Sequence, residues 1–189
     1  MDVFKAIKWR RSVRRFSPKK IEKEKILQIL EAARIAPSSS NTQPWHFLVI
    51  DDESIIAEIP KQVLIGTRSI ISWMKDAPLV IVACCTKKIT HMAAELFGHE
   101  NHIIDISIAM DHMVLAATEL GIGTCYVGWF NESKLKKLLN IPRQFKIVLL
   151  LVLGYPADSS TEESIGGIEP RPRKSFEEIV SYNKFGKRF

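Results

Sequence analysis

The stretch "PLVIVACC", residues 78–85, is apolar from end to end. A strand with one wet face alternates polar and apolar side chains, so a strand without alternation needs cover on both faces. The chain is therefore expected to build a sheet held between two other layers. "KIVLLLVLGYP", residues 146–156, reads as a strand that leaves into a Gly/Pro turn. Its apolar run "IVLLLVL" is far too short to span a bilayer, so no membrane partner is expected.

Amphipathic helices can supply the cover. Residues 22–36 place Ile26, Ile29, Leu30, Ala33 and Ala36 on one helical face, with Glu22 and Glu24 at the positive end of the helix dipole. Residues 103–120 are apolar around most of a helix and close at Gly121. That helix belongs in a core or at a subunit interface. A short amphipathic helix is expected over 1–11, and helix broken by Pro60 and Gly66 over 53–75. "ESKLKKLLN" and "SFEEIVSY" read as short helices, 46–50 as a short buried strand, and 124–128 as a strand or extended segment. Strands and helices do not alternate as βαβ units, and no stretch reads as a linker. The pattern predicts one α+β layered domain over residues 1–189 rather than a Rossmann array.

Charge narrows the function. Lys and Arg number 27 against 21 Asp and Glu, a net charge of +6. That suits an anionic ligand and is too mild to establish nucleic-acid binding. "RRSVRRFSPKKI", residues 10–21, holds four arginines and two lysines in twelve positions. Lys19, Lys20, Lys23 and Lys25 read as a solvated helix end. Arg10, Arg11, Ser12 and Arg14 lie where a helix gives way to extended chain, and guanidinium forks beside a hydroxyl can grip a phosphate. Only Trp9 and Phe16 interleave aromatics with this run, so no nucleic-acid partner is expected.

A second cluster is "APSSSNTQPWHF", residues 36–47. It reads either as a capped turn or as a rim of hydroxyl, amide and backbone groups able to bond a flat heteroaromatic edge or a ribityl chain. Other chemistries lack their motifs. There is no GxxxxGK[ST] and no GxSxG, and in "GIGTCYVG" Tyr126 stands where a dinucleotide fingerprint needs its third glycine. Cys84, Cys85 and Cys125 form no CxxC, and the five histidines form no HExxH, so no metal is expected. Cys125 reads as a small buried hydrophobe. This cysteine usage suits a reduced compartment, and the arginine-rich start runs straight into helical periodicity, which points to the cytoplasm.

"RRSVRRF", "APSSSNTQPWHF", "ELGIGTCYVGWF" (119–130), "LGYP" (153–156) and "RPRKSFEEIV" together resemble the nitroreductase family of flavin enzymes. They stand in family order and bracket nearly the whole chain, although residues 51–100 carry little of the likeness. The resemblance implies a three-layer sandwich, a mostly antiparallel central sheet flanked by helices, with a C-terminal extension that embraces a partner. It implies a homodimer with FMN at the subunit interface and NADH or NADPH as reductant. Arg10, Arg11 and Ser12 would reach the FMN phosphate and nearby ribityl oxygens, and Arg14 the pyrimidine end of the ring. Pro37, Ser38, Ser39 and Asn41, with Gln43 as a further candidate, would approach the same flavin from the other subunit. Val127 and Gly128 would run along the ring. Arg171 or Arg173 would complete the phosphate grip, and "RPR" leaves that choice open. The implied activity is hydride transfer from NAD(P)H through flavin N5 to a nitroaromatic, a quinone or a similar small acceptor. Reductive dehalogenation, flavin fragmentation and heterocycle oxidation are the alternatives on such a scaffold. No catalytic side chain is assigned, because the flavin carries the chemistry.

Overall fold

In the computed structural model, which describes residues 2–62, 72–157 and 172–188, both apolar segments are central strands. The strands are β1 (Trp45–Ile50), β2 (Leu79–Cys85), β3 (Gly123–Val127) and β4 (Lys146–Gly154). They lie in the order β1-β2-β4-β3, and every neighbouring pair is antiparallel. All of β2 is buried. Its pleat sends Leu79, Ile81, Ala83 and Cys85 into one core and Val80, Val82 and Cys84 into another. β4 divides in the same way, Leu151 and Leu153 against Leu150 and Val152.

The helices are α1 (Val3–Trp9), α2 (Lys23–Arg34), α3 (Glu53–Gln62), α4 (Ile89–Glu95), α5 (Asn101–Glu119), α6 (Glu132–Leu138) and α7 (Phe176–Ile179). Ile29 and Ala33 of α2 join Ile106, Ala109, Met110 and Met113 of α5 over one face of the sheet. Ile56 and Ile59 of α3, Met74 and Leu135 of α6 close the other. Two helical layers around one antiparallel sheet make the three-layer α+β sandwich that the apolar strands require.

Some elements differ from the sequence reading. Residues 46–50 are not fully buried: β1 is an edge strand with His46 and Val49 exposed, because among the described residues only β2 pairs with it. Pro60 sits inside α3 rather than breaking it, and Gly66 lies outside the described residues. "SFEEIVSY" holds only the four-residue α7. Helix α4 has no counterpart in the sequence reading, for a physical reason: His91 is its one buried residue, so no apolar stripe betrays it. The 103–120 helix is α5. It runs over the core yet keeps Ile104 54% exposed, and Gly121 at φ 74° follows its end.

His102, in the first turn of α5, is only 1% exposed, and neither ring nitrogen has a hydrogen-bond partner among the described residues. Burial, with smaller contributions from Lys87 and His91, holds its pKa below the ordinary 6.5. The unfolded chain therefore takes up a proton near 6.5 that the folded chain resists. Stability should be fullest above that value and decline as pH falls through the window beneath it. His102→Phe, which keeps a buried ring without the titrating nitrogens, should flatten that decline in urea melts run from pH 7.5 down to about 5.

Candidate functional site

Beyond α1 the chain becomes extended and lies along the sheet. Ser12 forms a parallel bridge with Thr124, and the Val13 amide donates to the Thr124 carbonyl at 2.9 Å. The Ser17 amide donates to the Tyr155 carbonyl at 2.7 Å, and the Ala157 amide to the Arg15 carbonyl at 3.0 Å. Val13 and Phe16 point inward, and Phe16 meets Trp73 with ring centroids 6.2 Å apart. Two glycines leave the room for this approach. A Cβ on Gly123 would stand 2.7 Å from Val13 Cγ2 and 2.8 Å from Val13 Cβ. A Cβ on Gly154 would stand 2.7 Å from Phe16 Cδ1.

With Val13 and Phe16 turned in, Ser12, Arg14 and Arg15 are exposed. Arg10 is the C-cap of α1. Arg11 Nη1 donates to the carbonyls of Lys8 at 2.7 Å and Arg10 at 3.1 Å, so part of its guanidinium satisfies the helix end. The Arg14 guanidinium lies 6.0 Å from the Trp73 ring centroid. At the far end of β3, Val127 is buried and Gly128 exposed. A Cβ on Gly128 would make only a 3.4 Å contact with Leu149, so the fold of this chain does not itself demand glycine there. A bare stretch of backbone remains, flanked by Tyr126 and by Trp129, both exposed.

Residues 37–43 sit elsewhere. They follow α2 and lead into β1, with a 3₁₀ turn at Ser39–Asn41. Ser40, Asn41 and Gln43 take left-handed φ values of 51°, 52° and 45°. The Gln43 amide donates to Ser38 Oγ at 3.0 Å, and Gln43 Nε2 donates to Asn41 Oδ1 at 3.1 Å. Ser39 is tied to Asp105 of α5 through both its amide and its hydroxyl, each at 2.9 Å. Pro37, Ser40, Asn41 and Gln43 are exposed. β1 and β3 are opposite edges of the sheet, three strand spacings or about 14 Å apart. The arginine segment and the polar loop thus occupy opposite edges of one sheet. Arg171 lies outside the described residues, and Arg173 is exposed with Nη1 donating to the Pro172 carbonyl at 2.9 Å.

The structure corrects the reading of Lys19 and Lys25 as merely solvated. Tyr155 donates a short hydrogen bond to the Glu22 carboxylate, and Lys25 Nζ donates to Tyr155 Oη at 2.7 Å. Lys19 Nζ pairs with Glu22 at 3.1 Å and stands over the Tyr155 ring. The Tyr155 hydroxyl, helped by the Glu22 amide and Lys19, pulls Glu22 down to about 2. This group ties the start of α2 to the turn after β4. The cysteines offer no nucleophile. Burial pushes Cys84 up to about 12 and Cys85 up to about 11. Burial also raises Cys125, although Arg14 and a hydrogen bond with Ser12 act the other way. Reactive cysteines show the opposite shift.

Comparisons with known proteins bear on the family and the fold. A sequence model described as Nitroreductase family matches residues 7–71 and 69–155. A protein of Methanothermobacter thermautotrophicus, provisionally named NADH dehydrogenase/NAD(P)H nitroreductase, is 32% identical over 163 residues, 84% of this chain and 80% of its own. The iodotyrosine deiodinase of Thermotoga neapolitana is 25% identical over 199 residues, covering 94% of this chain and 96% of its own. The FMN reductase (NAD(P)H) of Bacillus subtilis is 28% identical over 176 residues, 86% of this chain and 69% of its own. A solved nitroreductase family protein from Clostridium novyi NT, 32% identical, superposes with a TM-score of 0.77 over 100% of this chain and 97% of its own.

The glycine groove is directly testable. Gly123→Ala should destabilise the protein by about 1–3 kcal/mol through overpacking against Val13. Val13→Ala in the same chain should recover part of that loss, since it removes the methyl groups in the way. Both are read from urea midpoints, and additive losses would contradict the contact.

Proposed function

The chain belongs to the nitroreductase family, and from that premise we propose that it is an FMN-dependent oxidoreductase drawing on NADH or NADPH. The observation that carries this reading is the β3 edge. The segment bearing Arg10, Ser12 and Arg14 runs beside a strand that ends in the bare backbone of Gly128. Cationic donors and an uncovered main chain on one ridge suit a ligand with an anionic tail and a flat ring.

Arg10, Arg11 and Ser12 would hold the phosphate and the adjoining ribityl oxygens by charge-assisted hydrogen bonds. Arg14 would place positive charge beside the pyrimidine end of the ring, which favours electron-rich forms of the ligand. The Gly128 amide would orient the ring from the strand end, where a side chain would stand in the way. Arg171 or Arg173 would add to the phosphate grip. Bound FMN supplies two-electron transfer at N5, accepting from NAD(P)H and giving to a nitroaromatic, a quinone or a similar small acceptor in the two halves of a ping-pong cycle.

The sheet order supports homodimerisation. The loop bearing Pro37, Ser38, Ser39, Asn41 and Gln43 lies at the β1 edge, away from the arginines of its own chain. A two-fold partner can bring its loop to this chain's β3 edge, and symmetry then completes both sites. Val3, Phe4 and Ile7 on α1, Ile104 on α5 and Phe176 on α7 are exposed apolar side chains that such a partner would cover. Described residues 172–188 are exposed for nearly their whole length, as expected of an extension that wraps a neighbour.

Likeness to a deiodinase across nearly the whole chain favours one second reading, reductive removal of halogen from an aromatic substrate on the same scaffold.

Purified protein supplied with FMN should turn yellow, run as a dimer in light scattering, and bleach anaerobically with NADH or NADPH. Arg10→Ala with Arg14→Ala should weaken FMN binding by about tenfold or more, the worth of one or two charge-assisted hydrogen bonds. Product analysis with nitroaromatic, quinone and halogenated phenol acceptors separates the two readings. A protein unable to take up FMN would sink both.

A further inference from the structure

We infer that Asp105, backed by His91, is a positioning residue that sets the 38–43 loop for FMN; this rests on the flavin reading above. Asp105 is 2% exposed and lies 66 residues from Ser39 in sequence. Its Oδ1 accepts from the Ser39 amide and from the Ser39 hydroxyl, both at 2.9 Å. Its Oδ2 lies 3.2 Å from His91 Nε2, and that nitrogen lies 3.0 Å from Thr42 Oγ1.

The tautomer of His91 follows from one contact. The Lys88 amide donates to His91 Nδ1 at 3.1 Å. An amide can only donate, so Nδ1 accepts and the ring proton sits on Nε2. His91 then donates from Nε2 toward the carboxylate, with Thr42 as a neighbour on the same nitrogen. Asp105 thus receives three donors and needs none of its own, the role of a carboxylate and of no amide. The buried pair grips the 3₁₀ turn at Ser39 directly, and Thr42 Oγ1 shares the one Nε2 proton that His91 also turns toward Asp105.

That turn needs such a grip. Three non-glycine residues within it or next to it are left-handed, each at a cost of about 1 kcal/mol. Strained turns persist where surrounding contacts over-determine them. The network also revises what Ser39 offers. Both of its donors point at Asp105, so toward a ligand it presents oxygen lone pairs and a fixed backbone. Ser40 and Asn41 are left facing outward. Asp105 acts through the loop and is assigned no contact with the flavin.

The test measures FMN dissociation constant, binding stoichiometry and apo-protein melting for wild type, Asp105→Asn, Ser39→Ala, their double variant and Arg10→Ala. Asparagine keeps the size but turns hydrogens toward Ser39 or His91. Asp105→Asn should raise the dissociation constant about tenfold or more at unchanged stoichiometry, and Ser39→Ala should raise it less. The double variant should bind no worse than Asp105→Asn, since both changes strike one contact. A residue needed only for folding would lower melting and the competent fraction, and the remainder would bind as wild type does. That result, or an unchanged dissociation constant, overturns the inference. Should Asp105→Asn not fold, Ser39→Ala and Thr42→Val decide: weaker binding at full stoichiometry supports the positioning role, and unchanged binding ends it. If wild type takes up no FMN, the flavin reading fails as well. If Arg10→Ala weakens binding and Asp105→Asn does not, only this inference fails.

Discussion

One backbone hydrogen bond organises the molecule, from the Val13 amide to the Thr124 carbonyl in a groove that Gly123 holds open. It docks an extended segment against the outer edge of β3. The same segment continues past β4, where Gly154 admits Phe16. Once Val13 and Phe16 are turned inward, strand geometry leaves Ser12 and Arg14 facing out. The positions of the cations are therefore set by packing of their apolar neighbours. Charge alone would spread the guanidinium groups of Arg10, Arg11, Arg14 and Arg15 apart; the groove fixes the segment that carries them.

Two polar ties complete the frame, and they differ in setting. Glu22, Tyr155 and Lys25 join α2 to the turn after β4 at the surface, where water screens the charges and geometry counts for more than energy. Asp105 and His91 are buried, so each unmade bond there would be costly. The surface tie fixes α2 to the sheet, and the interior tie fixes the 38–43 loop to α5. The buried one has the harder task, since it holds left-handed residues that prefer other conformations.

The sheet order then imposes a division. β1 and β3 are edges, so the loop before β1 and the segment beside β3 cannot share one face of one strand. On the proposed reading, each protomer would present one half of a site on each edge, and the exposed apolar side chains on α1, α5 and α7 would face a partner.

Much of this was legible in the residues themselves. Unbroken apolar character at 79–85 requires cover on both faces, whatever the helices turn out to be, and the two cores meet that requirement. The ordered motifs from "RRSVRRF" to "RPRKSFEEIV" carried the family likeness, because each is a short pattern of neighbours along the chain. Long-range pairings were not legible. "HFLVI" reads the same in a central strand and at an edge; only its pairing with β2 alone made it an edge. His91 and Asp105 stand fourteen residues apart and Asp105 and Ser39 sixty-six, with no periodicity to join them. Lys19 and Lys25 look solvated until Tyr155 folds back over 130 residues. Local pattern determined the layers and the longer helices, α2 and α5, since those depend on neighbours along the chain. Tertiary structure alone decided which edge carries which cluster and which buried carboxylate holds the loop, since those depend on strand register and on contacts that exist only after the sheet has closed.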